Sequence, residues 1–272
     1  MAPLYSKALI IGATSGIGEA LAAKLISTGT KVIVTGRRQD RIDAFIQKHG
    51  PSHATGRAFD VLNLSDIPAF AKSVLQDNPD LDCVVVNSGI QRAFDFTKAD
   101  SLDLSQLDAE VTTNYTSAVH LTAAFLPHLN AQQQGHLVYI SATLGLVPGM
   151  IRTPNYNASK AALHSFIMAV RQQLKDAQLK TRIVEVFPPA VQTELHDEHH
   201  QPDLKNGGQI GMPLDAYTEA MFKELEKGHE QFAIGPGEAL LADGGWEDQR
   251  SKLFQIQQVA IKQSLSKFSQ SG

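Results

Sequence analysis

Short β-branched apolar runs alternate with longer stretches of helical period from the N-terminus to about residue 190. The pattern predicts strands at Ala8–Ile11, Lys31–Thr35, His53–Phe59, Asp82–Asn87, His136–Ser141 and Arg182–Phe187, with helices between them. Inner runs such as Cys83-Val84-Val85-Val86 are apolar at every position rather than at alternate ones, as strands covered on both faces must be. Strand–helix alternation of this kind predicts an α/β fold: one doubly wound parallel sheet with helices on both faces.

Two helices carry the clearest period. From Val111, the positions Tyr115, Ala118, Thr122, Phe125, Leu126 and Leu129 fall on one face. From Tyr156, Leu163, Phe166, Ile167, Val170 and Leu174 do the same, with Pro154 just before, where a helix start tolerates proline. After Pro188-Pro189 the pattern breaks. Residues 192–215 are polar and rich in histidine and glycine, which predicts a mobile lid. A helix near Asp215–Lys227 and a strand near Gln231–Ile234 follow. A helical tail at about 246–270 carries Leu253, Phe254, Ile256, Ile261, Leu265 and Phe268 on one broad face, which must dock on this domain or on a partner subunit. No repeat or linker interrupts the chain, so residues 1–272 are expected to form a single domain.

Composition narrows the class. A net charge of −4 without any block of like charge offers no footprint for nucleic acid or an anionic membrane. Neither a secretory signal nor a membrane-spanning run is found, so a cytoplasmic protein is expected. The single cysteine, Cys83, lies in a buried-strand pattern and forbids an internal disulfide. His196, His199 and His200 beside Asp197 and Glu198 make a poor ligand set, because adjacent histidines point apart on a helix; no metal site is expected.

The chemistry begins at the first strand-to-helix turn. Gly12-Ala13-Thr14-Ser15-Gly16-Ile17-Gly18 sets three glycines between a buried strand and a helix. Glycine allows a tight turn and close backbone approach, and the new helix offers free N–H groups to a pyrophosphate. This makes Gly12, Thr14, Ser15, Gly16, Ile17 and Gly18 a candidate nucleotide cradle in a Rossmann-type sheet, although the spacing is G-x-x-x-G-x-G rather than G-x-G-x-x-G. The second strand ends Gly36-Arg37-Arg38, with no acid to hold a ribose 2′-hydroxyl. Two arginines there suit a 2′-phosphate, which favours NADP over NAD. Farther on, Tyr156 and Lys160 stand one helical turn apart. A nearby ammonium favours the phenolate, so the pair suits general acid/base work at a carbonyl or alcohol.

Together these residues resemble the short-chain dehydrogenase/reductase family over most of the chain up to about residue 193. The family's glycine motif matches Gly12, Gly16 and Gly18, and its acid after the third strand matches Asp60, followed by Val61. Its N-N-A-G element appears as Val86-Asn87-Ser88-Gly89, its helix asparagine as Asn114, and its Y-x-x-x-K as Tyr156 and Lys160. The resemblance implies that Tyr156 protonates the carbonyl oxygen during reduction. It implies that Lys160 lowers the tyrosine pKa and holds the nicotinamide ribose, and that Asn114 places a proton-relaying water. The segment Pro188-Pro189-Ala190-Val191-Gln192-Thr193 matches the family's P-G-x-V-x-T, implying that Pro189, Val191 and Thr193 lie around the carboxamide. Phrases around Lys160 and Pro188 look like the branch containing bacterial dehydrogenases linked to lipoteichoic-acid D-alanylation, a likeness that gives no substrate.

The sequence departs from the family at Pro189, in place of a glycine, at Ile11, in place of the threonine often preceding Gly12, and at the substrate-binding hydroxyl. The family's hydroxyl lies about thirteen residues before the tyrosine, which gives Thr143; aligning on Gly145 gives Ala142, with Ser141 at the preceding serine. Ser141 and Thr143 are both candidates. The resemblance thus implies an NADP(H)-dependent carbonyl reductase or alcohol dehydrogenase acting on a small molecule. A homodimer or homotetramer through the Val111 and Tyr156 helices is implied as well. A non-redox biosynthetic enzyme or an NADP-sensing regulator on the same fold is the alternative.

Overall fold

The structure is a computed structural model that describes residues 3–268. Seven strands among these residues form one parallel sheet: β1 (Lys7–Ile11), β2 (Lys31–Gly36), β3 (Ala54–Ala58), β4 (Cys83–Val86), β5 (His136–Ile140), β6 (Arg182–Phe187) and β7 (Gln231–Ala233). Their order is β3-β2-β1-β4-β5-β6-β7, so the chain reverses direction across the sheet between β1 and β4. In such a sheet the crevice at the carboxyl ends of those two strands is the place for a ligand.

The strand alternation sorts side chains into two cores. Ala8, Ile10, Val32, Val34, Cys83 and Val85 face α1 (Gly16–Ser27), α2 (Gln39–His49) and α7 (Leu214–Glu226). Leu9, Ile11, Ile33, Val84 and Val86 face α3 (Ile67–Asp77), α5 (Ser117–Ala131) and α6 (Pro154–Asp176). Uniformly apolar strands are thus buried on both sides, as the runs require. Cys83 is inaccessible, and burial pushes its thiol well up, away from the reactive thiolate.

Strand positions agree with the sequence pattern to within a residue or so at each end. The helix expected from Val111 differs. It begins earlier, as α4 (Leu104–Val111), where the Asp103 carboxylate accepts hydrogen bonds from the backbone of Ser105 and Gln106. It then widens into a π-helical turn, Thr112–Thr116, before continuing as α5. The wider turn breaks the 3.6-residue register, which hides the first helix from a periodicity count.

Residues 192–215, the expected lid, make contacts with the rest of the fold. Val191 bridges Met212, and two short 3₁₀ turns, Glu194–His196 and Gly207–Gln209, fold over the carboxyl end of the sheet. Arg152 bonds Gln201 and Asp203, while Arg92 donates to the His200 carbonyl at 3.0 Å. Arginines from two other loops thus reach this segment.

The short α8 (Glu238–Leu241) leads to α9 (Trp246–Leu265), which docks on its own chain. It does so through polar groups near its start: Glu247 is buried, and farther along Lys262 pairs with Asp176 of α6 at 2.9 Å. Leu253, Ile256, Ile261, Leu265 and Phe268 all remain more than half exposed. The expected tail's residues 269 and 270 lie outside the described residues. No helix among the described residues is long and apolar enough to cross a membrane.

Candidate active site

The glycine loop is shaped by what surrounds it. Gly12 takes φ +88°, and its N–H together with that of Ala13 donates to the Thr35 carbonyl at 2.9 Å. A Cβ on Gly18 would lie 2.3 Å from the Gly12 carbonyl oxygen and 2.5 Å from Asn87 Nδ2. That asparagine, at the end of β4, donates to the Gly12 carbonyl at 2.6 Å. Ser88 follows with its backbone against Gly12, so the two strand ends on either side of the reversal are tied together. No side chain caps the first turn of α1, which leaves its N–H groups for an anion. A positive-φ turn, a helix start without a cap and close backbone packing fit the pyrophosphate of a dinucleotide.

Beside this cradle stands a basic corner. Arg38 donates to Thr14 Oγ1 from Nε and Nη2 at 3.2 and 3.0 Å, and to Ser15 Oγ at 2.7 Å. Arg37 is exposed, with no side-chain partner among the described residues. The backbone of Phe59 bonds the Gly36 carbonyl at 2.9 Å, which brings Asp60 and the buried Val61 alongside the end of β2. Asp60 caps its own turn by accepting from the Leu62 N–H.

On the other side of the reversal, Tyr156, Lys160 and Asn114 converge. Tyr156 and Lys160 are 6% and 3% exposed, with the ammonium 5.7 Å from the phenol ring centre. Lys160 donates to the Ile140 carbonyl at 2.9 Å, at the end of β5. Asn114 sits in the π-helical turn, exchanging 2.9 Å hydrogen bonds with the backbone of Ile90 and donating to Ser159 Oγ at 3.0 Å. A Cβ on Gly89 would stand 3.5 Å from Asn114 Oδ1 and 3.7 Å from Lys160 Nζ, so Gly89 borders the space these two groups share.

Electrostatics in the protein alone run against an easily ionised phenol. Burial pushes Tyr156 well up, and the Glu110 charge adds to this. Burial also draws Lys160 down to about 8, opposed by Glu185 and Glu110. Both influences on the phenol, burial and the Glu110 charge, act against the expected lowering by Lys160.

The two candidate hydroxyls are both turned elsewhere. Ser141 Oγ is sealed from solvent and faces Glu185 without a well-formed hydrogen bond. Thr143 Oγ1 donates to the Pro188 carbonyl at 3.4 Å. Gly145 packs against the Lys160 backbone, where a Cβ would approach to 2.8 Å. Nearby, Val191 is buried, Pro189 is partly exposed, and the Thr193 methyl covers Gly16, 3.2 Å from a Cβ placed there.

Four functional candidates escaped the motif reading. Glu110 is inaccessible; it accepts from the Arg92 N–H and from Asn155 Nδ2, both at 2.7 Å, and burial raises it to about 7. Arg41 and Glu194 meet at 2.5 Å beside the cradle. Glu185, in mid-strand, bonds His164 at 2.8 Å; burial raises it to about 8 although Arg171, Ser141 and Lys160 oppose this. A lone acid inside Arg182-Ile183-Val184-Glu185-Val186-Phe187 is visible in the sequence and was the available cue.

Residues 6–203 match the family model for short chain dehydrogenase. The chain belongs to this family of oxidoreductases. Its sequence is 32% identical over 223 residues, 82% of this chain and 85% of the relative, to the uncharacterized oxidoreductase DltE of Bacillus subtilis. It is 29% identical over 214 residues, 77% and 83% of the two chains, to the NADP-dependent 3-hydroxy acid dehydrogenase YdfG of Salmonella typhi. A short-chain dehydrogenase/reductase from Burkholderia phymatum, solved in complex with NAD, superposes with a TM-score of 0.77 at 20% identity, covering 89% of this chain and 93% of that one. The match to that family structure agrees with the doubly wound sheet read from the sequence.

Proposed function

We propose that the protein is an NADP(H)-dependent carbonyl reductase or alcohol dehydrogenase acting on a small-molecule ketone or alcohol. The observation that carries this reading is the meeting of Tyr156, Lys160 and Asn114 across the β1/β4 reversal from the glycine cradle. The cofactor, when bound, supplies the hydride. Gly12, Gly16 and Gly18 would take the pyrophosphate, Arg37 and Arg38 the 2′-phosphate, Asp60 and Val61 the adenine side. Asn87, Ser88, Gly89, Pro189, Val191 and Thr193 line the path to the nicotinamide. Tyr156 delivers a proton to the carbonyl oxygen during reduction and removes one during oxidation, while the Lys160 charge favours the phenolate left behind. The 29%-identical NADP-dependent relative supports the cofactor choice, as do the paired arginines with no acid at Gly36. A cytoplasmic homodimer or homotetramer belongs to the same reading.

The test is titration with NADPH and NADH followed by a panel of ketones. NADPH oxidation that disappears in Tyr156→Phe supports the proposal; failure to bind either nucleotide refutes it. One observation favours a second reading, an NADP-sensing protein. Aligned on Gly145 the family's slot falls on Ala142, which has no hydroxyl, and the candidates Ser141 and Thr143 point theirs at Glu185 and Pro188. Tight NADPH binding without turnover on any carbonyl would select it.

A further inference from the structure

The basic corner already holds an anion of the protein's own. Glu194 opens the segment after Thr193, yet its carboxylate reaches back across the cradle to two arginines of the β2–α2 corner. Oε2 accepts from Arg38 Nη1 at 2.7 Å and Oε1 from Arg41 Nη1 at 2.5 Å. Arg38 is simultaneously bonded to Thr14 and Ser15 of the glycine loop. Next to Glu194, the Thr193 methyl lies over Gly16. Residues 193 and 194 therefore form a strap over the start of α1, fastened at its far side by a carboxylate shared between two guanidiniums. Burial alone would raise Glu194, but hydrogen bonds from Arg38, Arg41 and Ser15 outweigh it and hold the group at about 2, so it is charged at any working pH.

We infer that Glu194 sets the preference between phosphorylated and unphosphorylated dinucleotides by competing with a 2′-phosphate for Arg38 and Arg41. The inference rests on the NADP(H) reading above and deepens it. A phosphate arriving at Arg38 meets a guanidinium that is already neutralised, and must displace a carboxylate that forks onto two positive groups. A dinucleotide without that phosphate makes no such demand. Glu194 thus costs NADPH affinity and leaves NADH affinity nearly untouched. The same exchange unfastens the strap: once the phosphate takes the arginines, residues 193–212 lose their link to the β2–α2 corner. Arg37, exposed and without a side-chain partner among the described residues, stays available to the phosphate throughout.

The experiment compares wild type with Glu194→Gln by equilibrium titration with NADPH and NADH, using 2′,5′-ADP and 5′-AMP as fragments. The glutamine keeps the shape and removes the charge. Expected is a fivefold to tenfold gain in NADPH and 2′,5′-ADP affinity, with NADH and 5′-AMP within twofold of wild type. Hydrogen exchange across residues 193–212 should rise when NADPH, but not NADH, binds the wild type. Unchanged or weaker NADPH binding by a folded Glu194→Gln variant, with wild type binding normally, overturns the inference and leaves the cofactor reading standing. Wild type that binds neither nucleotide overturns both.

Discussion

His164 of α6 and Glu185 of β6 form a 2.8 Å hydrogen bond from which solvent is wholly excluded. The other ring nitrogen of His164 lies 3.0 Å from Glu247 of α9. Each contact needs a hydrogen between nitrogen and oxygen, and a neutral imidazole carries only one; the trio therefore holds an extra proton, on the ring or on a carboxyl group. Removing the histidine leaves Glu185 in the core without its hydrogen-bond partner, while Glu247 keeps Arg250, Gln231 and Ser251. His164→Ala should lose ~3–5 kcal/mol of stability, the range for breaking a buried pair by deleting one partner. Urea unfolding measures it, and a loss under 1 kcal/mol would show that the trio does not hold α9 to the domain.

Tyr156→Phe deletes only the hydroxyl, which makes no hydrogen bond to another described residue. Turnover should fall by ~10²–10⁴-fold, the usual contribution of a positioned acid or base. NADPH affinity and melting temperature should stay close to wild type. Residual activity within tenfold of wild type would take the proton-transfer role away from this residue.

Glu110 makes stability depend on pH in an unusual direction. Its ordinary value of 4.5 rises to about 7 in the fold. Between those values the folded chain keeps a proton that the unfolded chain has released. The stabilisation is therefore complete below about 4.5 and lost as pH rises through 7. Glu110→Gln should flatten this slope in melting curves taken from pH 5 to 8. It should also lower the whole curve, because one amide face would confront the Arg92 or Asn155 donor, a mismatch costing ~1–3 kcal/mol. A slope equal to wild type would assign the pH dependence to other groups.

Gly18→Ala and Gly149→Ala make a controlled pair. The first places a methyl carbon 2.3 Å from the Gly12 carbonyl oxygen, the second places one with nothing within 4 Å. Gly18→Ala should abolish nucleotide binding and lower the melting temperature. Gly149→Ala should do neither, and could gain ~0.4–1 kcal/mol from a less flexible unfolded chain. Equal behaviour of the two variants would mean that the loop is not packed as described.

Much of the scaffold was legible because it rests on one-dimensional pattern. Arg182–Phe187 was located to the residue by its apolar run, and Tyr156/Lys160 by helical spacing together with the glycine loop and the family resemblance. What escaped depends on distant chain. Glu194 meets Arg38 and Arg41 across more than 150 residues, and no local period encodes that approach. Asn114 was assigned by resemblance, but the π-helical turn that presents it was invisible, since an inserted residue looks like noise in a 3.6 count. The contacts of residues 192–215 are set by distant chain in the same way: Arg92 and Arg152 reach them from other loops.

His164 follows Lys160 by one turn on the same helix, and Glu247 is the second residue of α9. The last helix is therefore not a free appendage for the experimenter. Trimming the chain before residue 246 removes the acid that closes the trio, one turn from Lys160, the lysine of the proposed site. A fusion that drags on α9 pulls at the same place. Affinity tags for this protein belong at the N-terminus, and a loss of the proposed activity on C-terminal truncation should be read as a disturbance of α6, which carries Tyr156 and Lys160.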